Sequence, residues 1–152
     1  MNKIFNWWFG IFTKTVIFIN YSTKNRIEAT DIGDFLKTFY GVVVFKAPTS
    51  IEPGSEYHKD IPNNIRNCDI FIPIISSKSI KSTITQQEIG IAIEAKKDIF
   101  PIILGRIKSK DLGLLSNRHY INYRDTNMKS SLKNKILKIY LKALVFWVII
   151  LV

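Results

Sequence analysis

Asp69-Ile70-Phe71-Ile72-Pro73-Ile74-Ile75-Ser76 is the stretch on which the fold turns. From Ile70 to Ile75 no side chain is polar, so neither face of the segment suits water. A short run of Ile and Phe of this kind predicts a strand covered on both sides. Similar runs, rich in Ile, Val and Phe, lie at Thr15–Ile19, Val42–Phe45, Asp98–Ile103 and His119–Asn122. Helical spacing fills the gaps between them. Ile32, Phe35, Leu36 and Phe39 recur at i, i+3, i+4 and i+7, with Asn25 and Glu28 as a helix start. Tyr57, Ile61, Ile65 and Cys68 form a second stripe, which Pro62 is expected to kink or shorten. A third helix is expected from Thr83 to about Lys97, and a fourth carries Leu132, Ile136, Ile139, Tyr140 and Ala143. Short buried strands alternating with helices predict a parallel sheet covered on both faces. Right-handed crossovers then give an α/β, flavodoxin-like, doubly wound sheet of five strands.

The chain has 152 residues, enough for one domain with one core. The domain is expected over residues 15–142, with an apolar N-terminal segment at 1–14 and an apolar tail at 143–152. The single cysteine, Cys68, excludes an internal disulfide and suits a reducing compartment, so a cytoplasmic setting is expected. It reads best as a buried structural thiol. The net charge is +10, unevenly spread. Residues 15–105 hold ten basic and ten acidic side chains, whereas residues 106–152 hold ten basic against two acidic. A nucleic-acid reader would interleave this charge with aromatics. Here the lysines at 129, 133, 135, 138 and 142 run into an apolar tail, and no nucleic-acid partner is expected. A solvated helix face or an anionic membrane surface both fit that run.

In an open parallel sheet, ligands bind beyond the carboxyl ends of the strands. Asn20-Tyr21-Ser22, Lys46 to Gly54, Ser76-Ser77 and Gly105 lie there. No G-x-G-x-x-G follows the first strand, so the ordinary dinucleotide fingerprint is absent. His58 and His119 are far apart in sequence, and no metal-ligand cluster is expected. Ser22, Ser76 and Ser77 lack an evident base. Glu88 is the unusual carboxylate: it shares a helical stripe with Ile84, Ile91, Ala92 and Ala95, whereas Glu94 sits among Gly90, Lys97 and Asp98. An acid on an apolar stripe must face a cleft, find a partner or go neutral. The plain alternative is a Glu at the core rim paired with a lysine.

Five segments in series resemble the Toll/interleukin-1 receptor (TIR) domain family in its bacterial form. Phe18-Ile19-Asn20-Tyr21-Ser22 is similar to the box that opens these domains, and Phe45 to Gly54 to the loop after their second strand. Cys68 to Ser76 resembles the third strand, Ser82 to Ala92 the helix carrying the glutamate of NAD-cleaving members, and Phe100-Pro101-Ile102 the strand that follows. The resemblance implies NAD+ cleavage with Glu88 as the catalytic residue. It implies substrate contacts from Asn20, Tyr21, Ser22, Lys46, Ala47, Gly54, Ser76 and Ile84. NAD+ would enter as a substrate, with no resident cofactor and no metal. It further implies other TIR domains as partners, a homo-oligomer when active, and a signalling or defence role. Two positions depart from catalytic relatives: Ile84 stands where an aromatic is common, and Asn25 where an acid is common. These favour an alternative, a non-catalytic TIR–TIR adaptor module. A third reading is a nucleoside deoxyribosyltransferase-like enzyme, whose catalytic stretch Glu88-Ile89-Gly90-Ile91-Ala92 also resembles.

Both chain ends are apolar. Ile4–Phe12 and Ala143–Val152 carry no charge, and Trp7, Trp8 and Trp147 lie in them. Ten helical residues span about 15 Å, half a bilayer core, so neither end crosses a membrane alone. The first is a poor secretory signal. The start of the first strand and the end of the last helix are expected side by side, opposite the ligand crevice. The two ends would there form a membrane-associating element, an extra apolar lobe or an oligomer contact.

Overall fold

The computed structural model of the chain describes residues 14–48 and 57–151. Five parallel strand positions form one sheet. These are β1 (Thr15–Tyr21), β2 (Val42–Pro48), β3 (Ile70–Ser76), a fourth split into β4 (Asp98–Ile99) and β5 (Ile102–Leu104), and β6 (Ile121–Asn122). The spatial order is β2-β1-β3-β5-β6, with β4 paired to β3. Counting β4 and β5 as one interrupted strand gives the flavodoxin-like order 2-1-3-4-5. Among the described residues, four helices flank the sheet: α1 (Arg26–Lys37), α2 (Tyr57–Asn67), α3 (Thr83–Glu94) and α4 (Met128–Leu151).

The break in the fourth strand has a local cause. The Phe100 N–H donates to the Phe71 carbonyl, so Phe71, and by alternation Pro73, turn their backbone groups toward this strand. Pro73 has no N–H to give, and the ladder stops beside it until Ile74 pairs with Ile102.

Period-2 alternation sorts the strand residues onto two faces. Ile17, Ile19, Tyr21, Ile70, Ile72 and Ile74 pack with α1 and α4. Phe18, Phe71, Ile75, Ile65 and Ile89 pack on the opposite face, under α2 and α3. Cys68 is buried there, its thiol pushed up to about 11 by desolvation, as an inert structural residue should be.

Several local details differ from the sequence expectation. The α2 helix runs on through Pro62, because one forgone backbone bond is outweighed by the burial of Ile61 and Ile65. The α3 helix ends at Glu94, before Lys97: Lys96 turns left-handed at φ 53°, and the Lys97 N–H closes on the Ala92 carbonyl. Asn25 precedes α1 but makes no side-chain cap bond. The poorly patterned stretch after β5 forms tight 3-10 turns over Ser109–Leu115, anchored by buried Leu112 and Leu115. The α4 helix continues without interruption through residues 143–151. Its Tyr140 hydroxyl reaches the Tyr40 carbonyl at 3.2 Å and also hydrogen-bonds the Thr15 side chain. This part of α4 therefore lies beside the start of β1, as the topology required. The N-terminal segment before residue 14 is outside the described residues. Among the described residues, no helix is long and apolar enough to cross a membrane.

Candidate active site

Asn20 and Glu88 meet at the carboxyl end of β1. Asn20 is an even-numbered β1 residue, so the pleat aims it, like Phe18, at the α2/α3 face. Glu88 sits midway along α3 and points back at the sheet. The Asn20 Nδ2 donates to Glu88 Oε2 at 2.7 Å, and the two residues are 1% and 4% exposed. Burial pushes the Glu88 carboxyl up to about 7, and the Asn20 hydrogen bond pulls weakly the other way. The partner is thus an amide, not a lysine. The two ion pairs among the described residues, Lys37–Asp34 and Lys129–Asp31, lie elsewhere.

The buried stripe of α3 consists of Thr85, Glu88, Ile89 and Ala92. It is rotated from the sequence expectation, in which Ile84 and Ala95 flanked Glu88; Ile84 is 41% exposed. The core side chains Ile89 and Ala92 set that rotation. Thr85 was missed by pattern reading, although its i−3 spacing to Glu88 marks it as a neighbour on the same face. It is 2% exposed, and its Oγ1 has no hydrogen-bond partner. Two adjacent side chains therefore present unused polar capacity in a desolvated place.

The other sequence-derived candidates divide by strand parity. Ala47, 6% exposed, pairs in register with Asn20 and shares the Glu88 face. Tyr21 packs on the opposite face with α1 and α4. Lys46 also lies away from Glu88: its stem crosses Gly33, and its Nζ is 3.4 Å from Thr30 Oγ1. Ser22 follows the carboxyl end of β1, an inner strand, and is half-buried. Ser76 closes a reciprocal knot with Ser79, whose Oγ accepts from the Ser76 N–H at 2.8 Å while Ser76 Oγ accepts from the Ser79 N–H at 3.2 Å. That knot tightens the entry to α3. Gly54, with the loop 49–56, is outside the described residues. No group of three or more His, Cys, Asp and Glu suited to a metal occurs among the described residues.

A 3-10 turn braces α3 from behind. Gln86 Nε2 donates to the Ile80 carbonyl at 2.7 Å, and its side chain lies against Gly113. Gly113 holds φ 57°, ψ −124°, where a Cβ would come within 2.9 Å of Gln86 Oε1. A glycine is needed there on both counts.

With a parallel five-position sheet and a buried carboxylate at the carboxyl end of β1, comparison with known proteins is unambiguous about kinship. The family model for the TIR domain matches residues 17–137, and the chain belongs to the TIR-domain family. Among solved structures, it is similar to the TIR domain of the Toll-related receptor TRR-2 from Hydra magnipapillata. The TM-score is 0.60 at 17% identity, over 82% of this chain and 96% of that one. It is similar to the TIR domains of the activated Roq1 resistosome, which directly recognises the pathogen effector XopQ (TM-score 0.56, 13% identity, 82% and 98% covered). It is also similar to BcmB, a CMP N-glycosidase of Clostridium botulinum (TM-score 0.52, 22% identity, 76% and 98% covered). At such identities the likeness is one of fold. No curated protein matches the sequence.

Proposed function

We propose that this TIR domain is an NAD+ glycohydrolase in which Glu88 is the catalytic residue. The observation that carries the proposal is the buried Glu88 carboxyl, held by Asn20 at the carboxyl end of β1 with a pKa raised to about 7. A fold does not keep such a group without cost, and a displaced pKa of this kind is typical of working sites.

The chemistry suits one carboxylate. The bond from nicotinamide N1 to ribose C1′ breaks with both electrons going to the ring, which leaves neutral, so no general acid is required. Positive charge builds on C1′ and the ring oxygen, and an ionised Glu88 in a dry site stabilises it. Water then adds at C1′ and releases one proton, giving ADP-ribose. Asn20 fixes the carboxylate, while the free Thr85 hydroxyl offers a partner to a substrate hydroxyl. Ala47, on the same face as Glu88, lines the approach to the carboxylate. NAD+ is consumed as a substrate and no cofactor is held. The likeness to a CMP N-glycosidase supports this reading, since that protein too acts on a nucleotide N-glycosidic bond. The likeness to the Roq1 TIR domains, which belong to a resistosome that recognises a pathogen effector, supports activation by self-assembly with other TIR domains and a signalling or defence role.

A second reading, a non-catalytic TIR–TIR docking module, is favoured by one observation. Ile84 is exposed and aliphatic where a stacking ring would hold a base. Incubation with NAD+, CMP and deoxynucleosides, following free base, separates the readings. Nicotinamide release lost in Glu88→Gln supports the glycohydrolase. A homotypic complex that leaves every substrate intact supports the docking module, and base exchange on deoxynucleosides supports the transferase-like alternative.

A further inference from the structure

The α4 helix has two apolar stripes, and among the described residues only one is packed against the fold. Leu132, Ile136 and Met128 are buried against the sheet, with Ile139 and Tyr140 packed beside them. On the other side of the helix, Leu137, Leu141 and Val145 follow at four-residue spacing and are 39%, 59% and 56% exposed. They form one ridge about 12 Å long, nearly opposite the buried stripe. Lys133, Lys138 and Lys142 flank this ridge on its two sides and are exposed. The neighbouring lysines are committed elsewhere: Lys129 Nζ is 2.8 Å from Asp31, and Lys135 Nζ stacks 5.0 Å from the Phe100 ring. The 24-residue helix contains no acidic residue.

We propose that the outer face of α4 is a docking surface for an anionic lipid bilayer, on which the helix lies parallel to the membrane plane. An apolar ridge between rows of lysines matches such a surface twice. The leucines and valine enter the acyl boundary, and the ammonium groups stay level with phosphate and carboxylate headgroups. A second copy of the chain would bring the same lysine rows face to face, with no carboxylate on either helix to offset them. An acidic protein partner would satisfy the lysines but leave the apolar ridge needing a groove of matching length. The bilayer answers both features at once. This surface lies across the sheet from Glu88 and does not rest on the proposed activity.

Full-length protein is floated with phosphatidylcholine vesicles, with and without 30% phosphatidylserine, at low and high salt. Binding to the anionic vesicles at low salt is expected to exceed binding to the neutral ones by at least tenfold. The triple variant Lys133→Gln/Lys138→Gln/Lys142→Gln is expected to lose about a hundredfold of that binding. Leu137→Gln/Leu141→Gln is expected to lose binding on both vesicle types. Because every substituted side chain is exposed, both variants should melt like the wild type. Equal binding to neutral and anionic vesicles would overturn the proposal. So would full retention of binding by both variants, or a dimer that Leu141→Gln dissociates in the absence of lipid.

Discussion

At the scale of single residues, the Glu88 carboxyl links the proposed activity to stability. Its folded pKa of about 7 lies above the ordinary 4.5, so the fold prefers the protonated form. Below pH 4.5 both folded and unfolded chains are protonated and the group is neutral to stability. As pH rises toward 7 the unfolded chain ionises first, and stability falls by on the order of 3 kcal/mol, the loss staying constant above pH 7. Glu88→Gln keeps an oxygen for Asn20 and cannot ionise. It should match the wild type in denaturant melts at pH 4.5 and exceed it by roughly 2–3 kcal/mol at pH 8. The same titration shapes activity, which should rise with pH through an apparent pKa near 7 in kcat/KM. Removing the one hydrogen bond that favours ionisation, by Asn20→Ala, should move that inflection upward. Thr85→Val removes a buried hydroxyl without a partner and should stabilise by about 1 kcal/mol in urea melts; a destabilised variant would mean that the hydroxyl is satisfied. Glu88 was legible in the sequence as a charge on an apolar stripe. The placement of Tyr21 and Lys46 was legible too, through strand parity: neighbours along a strand cannot share a face. A resemblance to boxes, read as contiguous segments, hides that constraint.

At the scale of elements, the strands follow directly from their Ile- and Phe-rich runs, because a parallel strand buried on both faces leaves an unbroken apolar signature. Their ends do not. The gap between β4 and β5 falls at Phe100-Pro101, so Pro101 marks it within Asp98–Ile103, while the lapse of the ladder to β3 also depends on Pro73 of another strand. The end of α3 is set by Lys96 in a left-handed conformation that glycine adopts more readily. Lys96→Gly should stabilise the domain by roughly 0.5–1 kcal/mol in denaturant melts, since it relieves that conformation at an exposed site. Gly113→Ala should do the opposite. Its backbone lies where only glycine is comfortable, and the added Cβ meets Gln86, so a loss of about 1–3 kcal/mol is expected. The Ser109–Leu115 turns were opaque in sequence because they have neither helical nor strand periodicity.

At the scale of the whole molecule, the excess positive charge and the buried carboxylate are segregated. The carboxylate lies at the carboxyl end of β1, on the α2/α3 face, in a part of the chain with balanced charge. The excess of lysine and arginine belongs to the last third, largely on α4 across the sheet. The sequence exposed that asymmetry but could not show that α4 has a second, unburied apolar stripe, because exposure depends on what the sheet leaves uncovered. If self-association completes the crevice, nicotinamide release per molecule should increase with protein concentration, and light scattering should rise in parallel. The most direct test of the account is nicotinamide release from NAD+ by concentrated, full-length protein at pH 8, beside folded Glu88→Gln. The account predicts turnover by the wild type and a loss of at least a hundredfold in the variant. Equal turnover by both proteins would contradict it.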